Sequence, residues 1–150
     1  MLTLSILQPY ATLIIIGGKR LETRSWRTSR RGRIGIHASR AFSREARRLC
    51  DEEPFRSTLE AAGLADPDDL PLGALLGTAE LIDCTSADDL DLDALGAAEL
   101  AFGDFRPGRW AWELRHPQPL PVAVAFRGRL GFFEAPDELF RLRQYERIAP

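Results

Sequence analysis

Gly17-Gly18-Lys19-Arg20-Leu21-Glu22-Thr23-Arg24-Ser25-Trp26 packs two glycines, a lysine, a carboxylate, two arginines and a tryptophan into one short run. Lys19 is the single lysine of the chain; the other 19 of its 20 basic residues are arginine. Just upstream, Pro9 suits the first turn of a helix, where its missing N–H costs nothing. Tyr10, Leu13, Ile14 and Gly17 then recur at i, i+3, i+4 and i+7. Gly17-Gly18 supplies the left-handed backbone that closes a helix. From Lys19 the period changes to two, which predicts a strand leaving the helix directly. Glu22, Arg24 and Trp26 should share one face of it, and Lys19, Leu21 and Thr23 the other.

Working outward, Leu2 to Ile6 reads as a first strand, and Arg27 to Gly32 as a loop carrying three arginines. Arg33 to Ala38 alternates, with Ile34 and Ile36 inward and Arg33 and His37 opposite. The two strands flanking the basic loop are expected to lie side by side. Ser43 is a candidate N-cap for a helix to about Cys50, and a short helix is expected over Phe55 to Ala62. Leu75 to Cys84 reads as a buried strand, and Asp88 to Gly103 as one or two short helices. Trp110, Trp112 and Leu114 alternate on one strand face. Pro117, Pro119 and Pro121 predict an extended connection to a strand through Val122, Val124 and Phe126. A short strand over Leu130 to Phe133 and a helix from Pro136 to about Arg147 complete the chain. About six strands with two to four helices, and no strand-helix-strand rhythm, predict one α+β domain over residues 1–150, built round a small mixed β-barrel.

The net charge of -2 conceals segregation: residues 1–48 carry 11 basic and 2 acidic side chains, residues 49–105 carry 1 and 15, and residues 106–150 carry 8 and 5. A basic N-terminal third is the electrostatic footprint expected of a phosphate-binding face, although solvated arginines give the same count. Leu13 to Ile16 is too short an apolar run to span a bilayer, and the N-terminus lacks signal-peptide organisation, so no membrane is expected and a cytoplasmic location is. Cys50 and Cys84 lack the spacing of a zinc site or disulfide framework and read as small buried hydrophobes. Asp89, Asp91 and Asp93 start like a calcium loop, but Ala94 stands at its sixth position and Leu100 at its twelfth, so neither metal nor cofactor is expected. Phosphate-binding glycine motifs and the GxSxG elbow are absent from the sequence.

Arg24, Arg27 and Arg31 with Trp26 make a basic, aromatic-punctuated surface of the kind that phosphate contact plus base stacking requires. Lys19 and Glu22 read either as a structural ion pair or as a catalytic base and acid. His37 reads either as a hydrogen-bonded strand residue or as a catalyst. The acidic segment Asp83 to Asp93 is a candidate surface for a protein partner.

Several stretches together resemble the ASCH (activating signal cointegrator homology) domain. They are Leu4-Ser5-Ile6, Gln8-Pro9-Tyr10-Ala11, the Gly17-x-Lys19-x-x-Glu22-x-Arg24-Ser25-Trp26 motif, Arg31-Gly32, Ile36-His37-Ala38-Ser39, Pro71-x-Gly73-Ala74-Leu75-Leu76-Gly77, Trp110-Ala111-Trp112 and Arg127-Gly128. The resemblance implies a PUA-like barrel with a cleft beside the first helix, in a superfamily that mostly binds RNA. It places Lys19, Glu22 and Arg24 in the cleft, Gln8 and Tyr10 at the helix start, Trp26 and Arg31 on the rim, and Ser39 among the binding residues. Binding of RNA, in preference to DNA, or of a nucleotide is the leading expectation. The alternative is a small hydrolase using Lys19 and Glu22, either an amidohydrolase on a modified nucleoside or a ribonuclease, the latter pairing His37 with Lys19. Bacterial amidohydrolase relatives carry threonine three residues after the lysine; here Glu22 holds that place and Thr23 follows.

Overall fold

The computed structural model describes residues 1–141. Its elements are β1 (Leu2–Ile6), α1 (Tyr10–Ile15), β2 (Leu21–Arg24), β3 (Gly32–Ala38), α2 (Arg44–Leu49), α3 (Phe55–Ala61), β4 (Ala74–Ser86), α4 (Ala97–Ala101), β5 (Trp110–Ala125) and β6 (Phe132–Glu134), with short 3-10 turns between them. The strands form one mixed sheet in the order β2-β5-β4-β3-β1-β6, in which β1 and β3 run parallel and every other pair antiparallel. This is the α+β, PUA-like arrangement expected, although the sheet is not closed by hydrogen bonds. Instead it curls until its two edges meet through side chains. Trp26, just beyond β2, packs edge-on against Phe132 of β6 with ring centroids 5.8 Å apart, and Trp112 stacks on the same ring at 5.5 Å.

α1 is the hub of the packing. Ala11 to Ile15 are all buried, because Ile14 faces the inside of the curl with Leu4, Ile34, Ile36 and Trp112, while Leu13 faces a second core with Phe55, Leu59 and Phe102. Each such buried Leu, Ile or Phe contributes about 1.5–3 kcal/mol relative to exposure. Gln8 starts the helix by accepting the Thr12 amide on Oε1 at 3.0 Å, and its amide nitrogen donates to Pro71 O and Thr12 Oγ1. At the other end Gly17, with φ of +83°, lets the Leu13 carbonyl accept from both Gly18 and Lys19. That pair of hydrogen bonds to one carbonyl swings the chain out of α1 and into β2, as the change of period predicts.

Three expectations need correction. β2 and β3 are not neighbours; β5 and β4 lie between them. Residues 25–31 form no tight hairpin turn but a long connection anchored at the end of the β4–β5 pair, where Trp112 Nε1 donates to Trp26 O and Arg31 reaches Asp83. Second, the three prolines sit inside β5 itself, a single strand from Trp110 to Ala125. They are tolerated because β2 covers only Trp110–Glu113 on one side of β5, leaving residues 117–121 an open edge where a missing N–H breaks no ladder. Third, after Pro136 there is a 3-10 turn over Asp137–Phe140, and the rest of the expected helix lies outside the described residues. No described helix is long and apolar enough to cross a membrane.

Candidate functional site

The seam where the curled sheet fails to pair is a cleft of about 400 Å³. One wall is β2 and its continuation, Glu22 to Trp26; the other is the end of β1 with Tyr10 of α1, and Phe102 to Asp104 with Arg109 close the end. Antiparallel register sets Glu22 opposite Trp112 and Arg24 opposite Trp110, so carboxylate and guanidinium project from the same face.

Lys19 lies beneath them and is 1% exposed. Its Nζ donates to Leu21 O at 2.6 Å and to Phe102 O at 2.5 Å, and stands 3.7 Å from Glu22 Oε1 and 5.5 Å above the Tyr10 ring. The other Glu22 oxygen is 3.8 Å from Arg24, which donates to Ser5 O at 3.4 Å and lies over the rings of Trp26 and Trp112. A carboxylate is therefore clamped between a buried ammonium and a half-buried guanidinium. Burial pushes the Lys19 ammonium below the ordinary lysine value, while Glu22 and Glu99 pull it back up. Burial also raises the Tyr10 phenol, with Glu22 adding to it.

The residues singled out from sequence divide into four places. Tyr10, Glu22, Arg24 and Trp26 line the cleft, with Lys19 under its floor. Gln8 is fully buried at the start of α1 and is not part of the cleft lining. Arg27 lies over the Trp110 ring, and Arg31 folds onto the carbonyls of Thr28 and Arg30 beside Asp83, so both sit on the basic connection beyond the lining. His37 and Ser39 line a different pocket, of about 840 Å³. There the His37 ring is fixed from both sides: Nε2–H donates to Phe126 O at 2.8 Å, which leaves Nδ1 to accept from Ser5 Oγ at 3.0 Å. Burial lowers the pKa of this imidazole. His37 and Lys19 are thus not brought together. In the acidic segment, Asp83 pairs with Arg31 while Asp88, Asp89, Asp91 and Asp93 are exposed.

Sequence reasoning missed the far wall. Glu99 of α4 is buried and accepts the Arg20 amide at 2.5 Å and the Leu21 amide at 3.4 Å, tying the start of β2 to a segment that read only as acidic and helical. Arg109 donates to Thr23 O at 3.0 Å, and its buried Nε has no hydrogen-bond acceptor, standing 3.6 Å from Asp104. The Asp104 carboxyl is held down to about 2, chiefly by its hydrogen bond from Arg106. An arginine one residue before the Trp110-Ala111-Trp112 strand was the available signal for Arg109.

Residues 4–118 match the model of the ASCH domain family. The human protein Activating signal cointegrator 1 is 40% identical over 83 residues, and its mouse counterpart 42% identical over 85. Each match covers 55% of this chain but only 14% of the relative, so the chain corresponds to a small part of those proteins. The crystal structure of ASCH from Zymomonas mobilis superimposes with a TM-score of 0.57 at 17% identity, covering 96% of this chain and 94% of that one, a likeness of fold. The matched span holds the end of β1, β2 to β4, α1 to α4, the whole Gly17-to-Trp26 motif and the first half of β5, and on that match the chain belongs to the ASCH domain family.

Proposed function

We propose that the seam cleft binds single-stranded RNA, or a nucleotide unit of it, by taking one base beside Trp26. The observation that carries this reading is the Glu22–Arg24 pair on the cleft wall between Tyr10 and Trp26, held from below by the buried Lys19. Trp26 is 37% exposed, enough to offer a ring face, while Trp112 and Phe132 hold it edge-on from behind. The Arg24 guanidinium is pre-oriented for a phosphate or a base edge, and the carboxylate of Glu22 is an acceptor for an amino group on a base. Turnover by Lys19 has less support. Two carbonyls and a carboxylate surround its ammonium, so its protons are committed to holding the floor together.

Fluorescence anisotropy with a single-stranded RNA oligonucleotide tests this reading. Base stacking on an aromatic ring is worth about 1–3 kcal/mol, so Trp26→Ala should weaken binding roughly 5- to 150-fold. Arg24→Ala should weaken it and flatten its dependence on salt. Wild-type protein that binds no oligonucleotide, or a folded Trp26→Ala variant that binds within twofold of wild type, sinks the proposal.

A further inference from the structure

The second pocket has its own chemistry, which the seam cleft does not use. β5 ends at Ala125, and the chain passes to β6 through Phe126, Arg127, Gly128, Arg129, Leu130 and Gly131. Gly128 runs directly over the His37 ring: a Cβ there would lie 2.4 Å from Cε1 and 2.7 Å from Nδ1. With the Phe126 carbonyl bonded to Nε2, the buried imidazole is the strut on which this loop rests. Arg127 and Arg129 flank that contact point and line the pocket opposite Arg40, with Ser39 beside them. None of these three arginines has a carboxylate within ion-pair distance among the described residues.

Two contacts connect this basket to the cleft. Ser5 holds both, its carbonyl accepting Arg24 on the cleft side and its hydroxyl meeting His37 on the other. At the far end of the loop, a Cβ built on Gly131 would lie 4.0 Å from Cζ2 of the Trp26 ring. The loop therefore runs from the His37 pocket to the rim of the cleft, carrying two arginines and a Leu130 that is 100% exposed. Arginines gathered in one pocket near an aromatic platform supply the positive charge and ring face that together hold a single nucleic-acid strand.

Resting on the RNA reading above, we infer that the pocket of Arg40, Arg127 and Arg129 is a second subsite, which takes a backbone phosphate of the strand whose base occupies the Trp26 cleft. His37 is a positioning residue for it: the ring sets the height of the loop and touches no phosphate.

The test compares wild type with Arg127→Ala/Arg129→Ala against cytidine monophosphate, a dinucleotide, an octanucleotide of single-stranded RNA and inorganic phosphate. Wild type should bind the octanucleotide more tightly than the mononucleotide, with a steep salt dependence. The variant should keep the mononucleotide affinity and lose most of the gain with length. Its slope of log K against log salt should be shallower by about 0.7, since the subsite takes one phosphate and each single-strand phosphate contact contributes about 0.7. An unchanged slope and octanucleotide affinity overturn the subsite while leaving the cleft reading intact. Equal loss for mononucleotide and octanucleotide also overturns it, by making the loop a prop for the cleft. Inorganic phosphate that binds wild type and not the variant, with no gain for longer RNA, assigns the pocket to free phosphate and overturns the strand reading. Absence of any RNA binding by wild type removes the proposed function itself, and the subsite with it.

Discussion

Replacing Glu22 by glutamine removes the charge that lies between Lys19 and Arg24 while keeping a side chain of the same shape. Lys19 then retains two carbonyl acceptors but loses its nearest counter-charge, 3.7 Å away, in a place with no access to water. Leaving a buried ion without its partner costs about 3–5 kcal/mol. Glu22→Gln should fall near the lower end, because a neutral amide oxygen still accepts. Lys19→Met should cost as much or more, since the Leu21 and Phe102 carbonyls lose their shared donor. Once the ammonium is gone, however, the carboxylate has less to neutralise. The double variant should therefore be less damaged than the two losses added together, with a coupling of about 1–3 kcal/mol. Urea unfolding followed by fluorescence of the three tryptophans reads this directly. With a slope of about 1–3 kcal/mol per molar, a loss of about 3 kcal/mol moves the midpoint by about 1–3 M. A Glu22→Gln midpoint within about 0.3 M of wild type, together with an additive double variant, would show that the pair is solvated and would refute the clamped-floor reading.

Three further outcomes are expected. His37 has a folded pKa below its unfolded value of about 6.5. As pH falls through that value the unfolded chain takes up the proton first, so stability should decline until the folded pKa is also passed. His37→Gln should lose this component, and urea midpoints that run parallel for the two proteins across the acid range would contradict it. Gly128→Ala drives a methyl into an imidazole held at both nitrogens, so a loss of about 1–3 kcal/mol is expected in thermal unfolding; a neutral result would mean the loop rides higher than described. Gln8→Leu strands the Thr12 amide and the Pro71 carbonyl in the interior and should cost about 1–3 kcal/mol each, visible as a large drop in Tm; a wild-type Tm would show that water reaches α1.

The local grammar of the N-terminal third was legible. A proline before the helix, glycines after it and a change of period from 3.6 to 2 led from α1 into β2, and strand alternation placed Glu22 and Arg24 on one face. Strand order was not legible. The loop between β2 and β3 holds no turn signature that would say whether its flanking strands pair, and the partner of β2 lies about ninety residues away in sequence. Proline spacing misled for a related reason: prolines exclude a central strand, but they do not exclude a strand whose second neighbour stops short. At the site, sequence spacing located the residues that β2 itself carries. It could not locate Glu99 and Arg109, which bind backbone groups of β2 and its approach, or Phe102, whose carbonyl accepts from the Lys19 ammonium. Gln8 and His37 carry chemistry in the sequence and spend it on the fold, each with its polar atoms bonded to the chain.

The unpaired seam has a mechanical consequence. A ladder of N–H to O bonds fixes two strands at a spacing of about 4.8 Å and allows no sliding. Contact between rings demands only that surfaces touch, and edge-on pairs accept a range of about 4.5–7 Å between centroids. The join between Trp26 and Phe132 therefore leaves the width of the cleft as a soft coordinate in an otherwise stiff sheet. Within that range the 5.8 Å separation of the two rings can shift by about 1 Å in either direction with every strand pairing left in register.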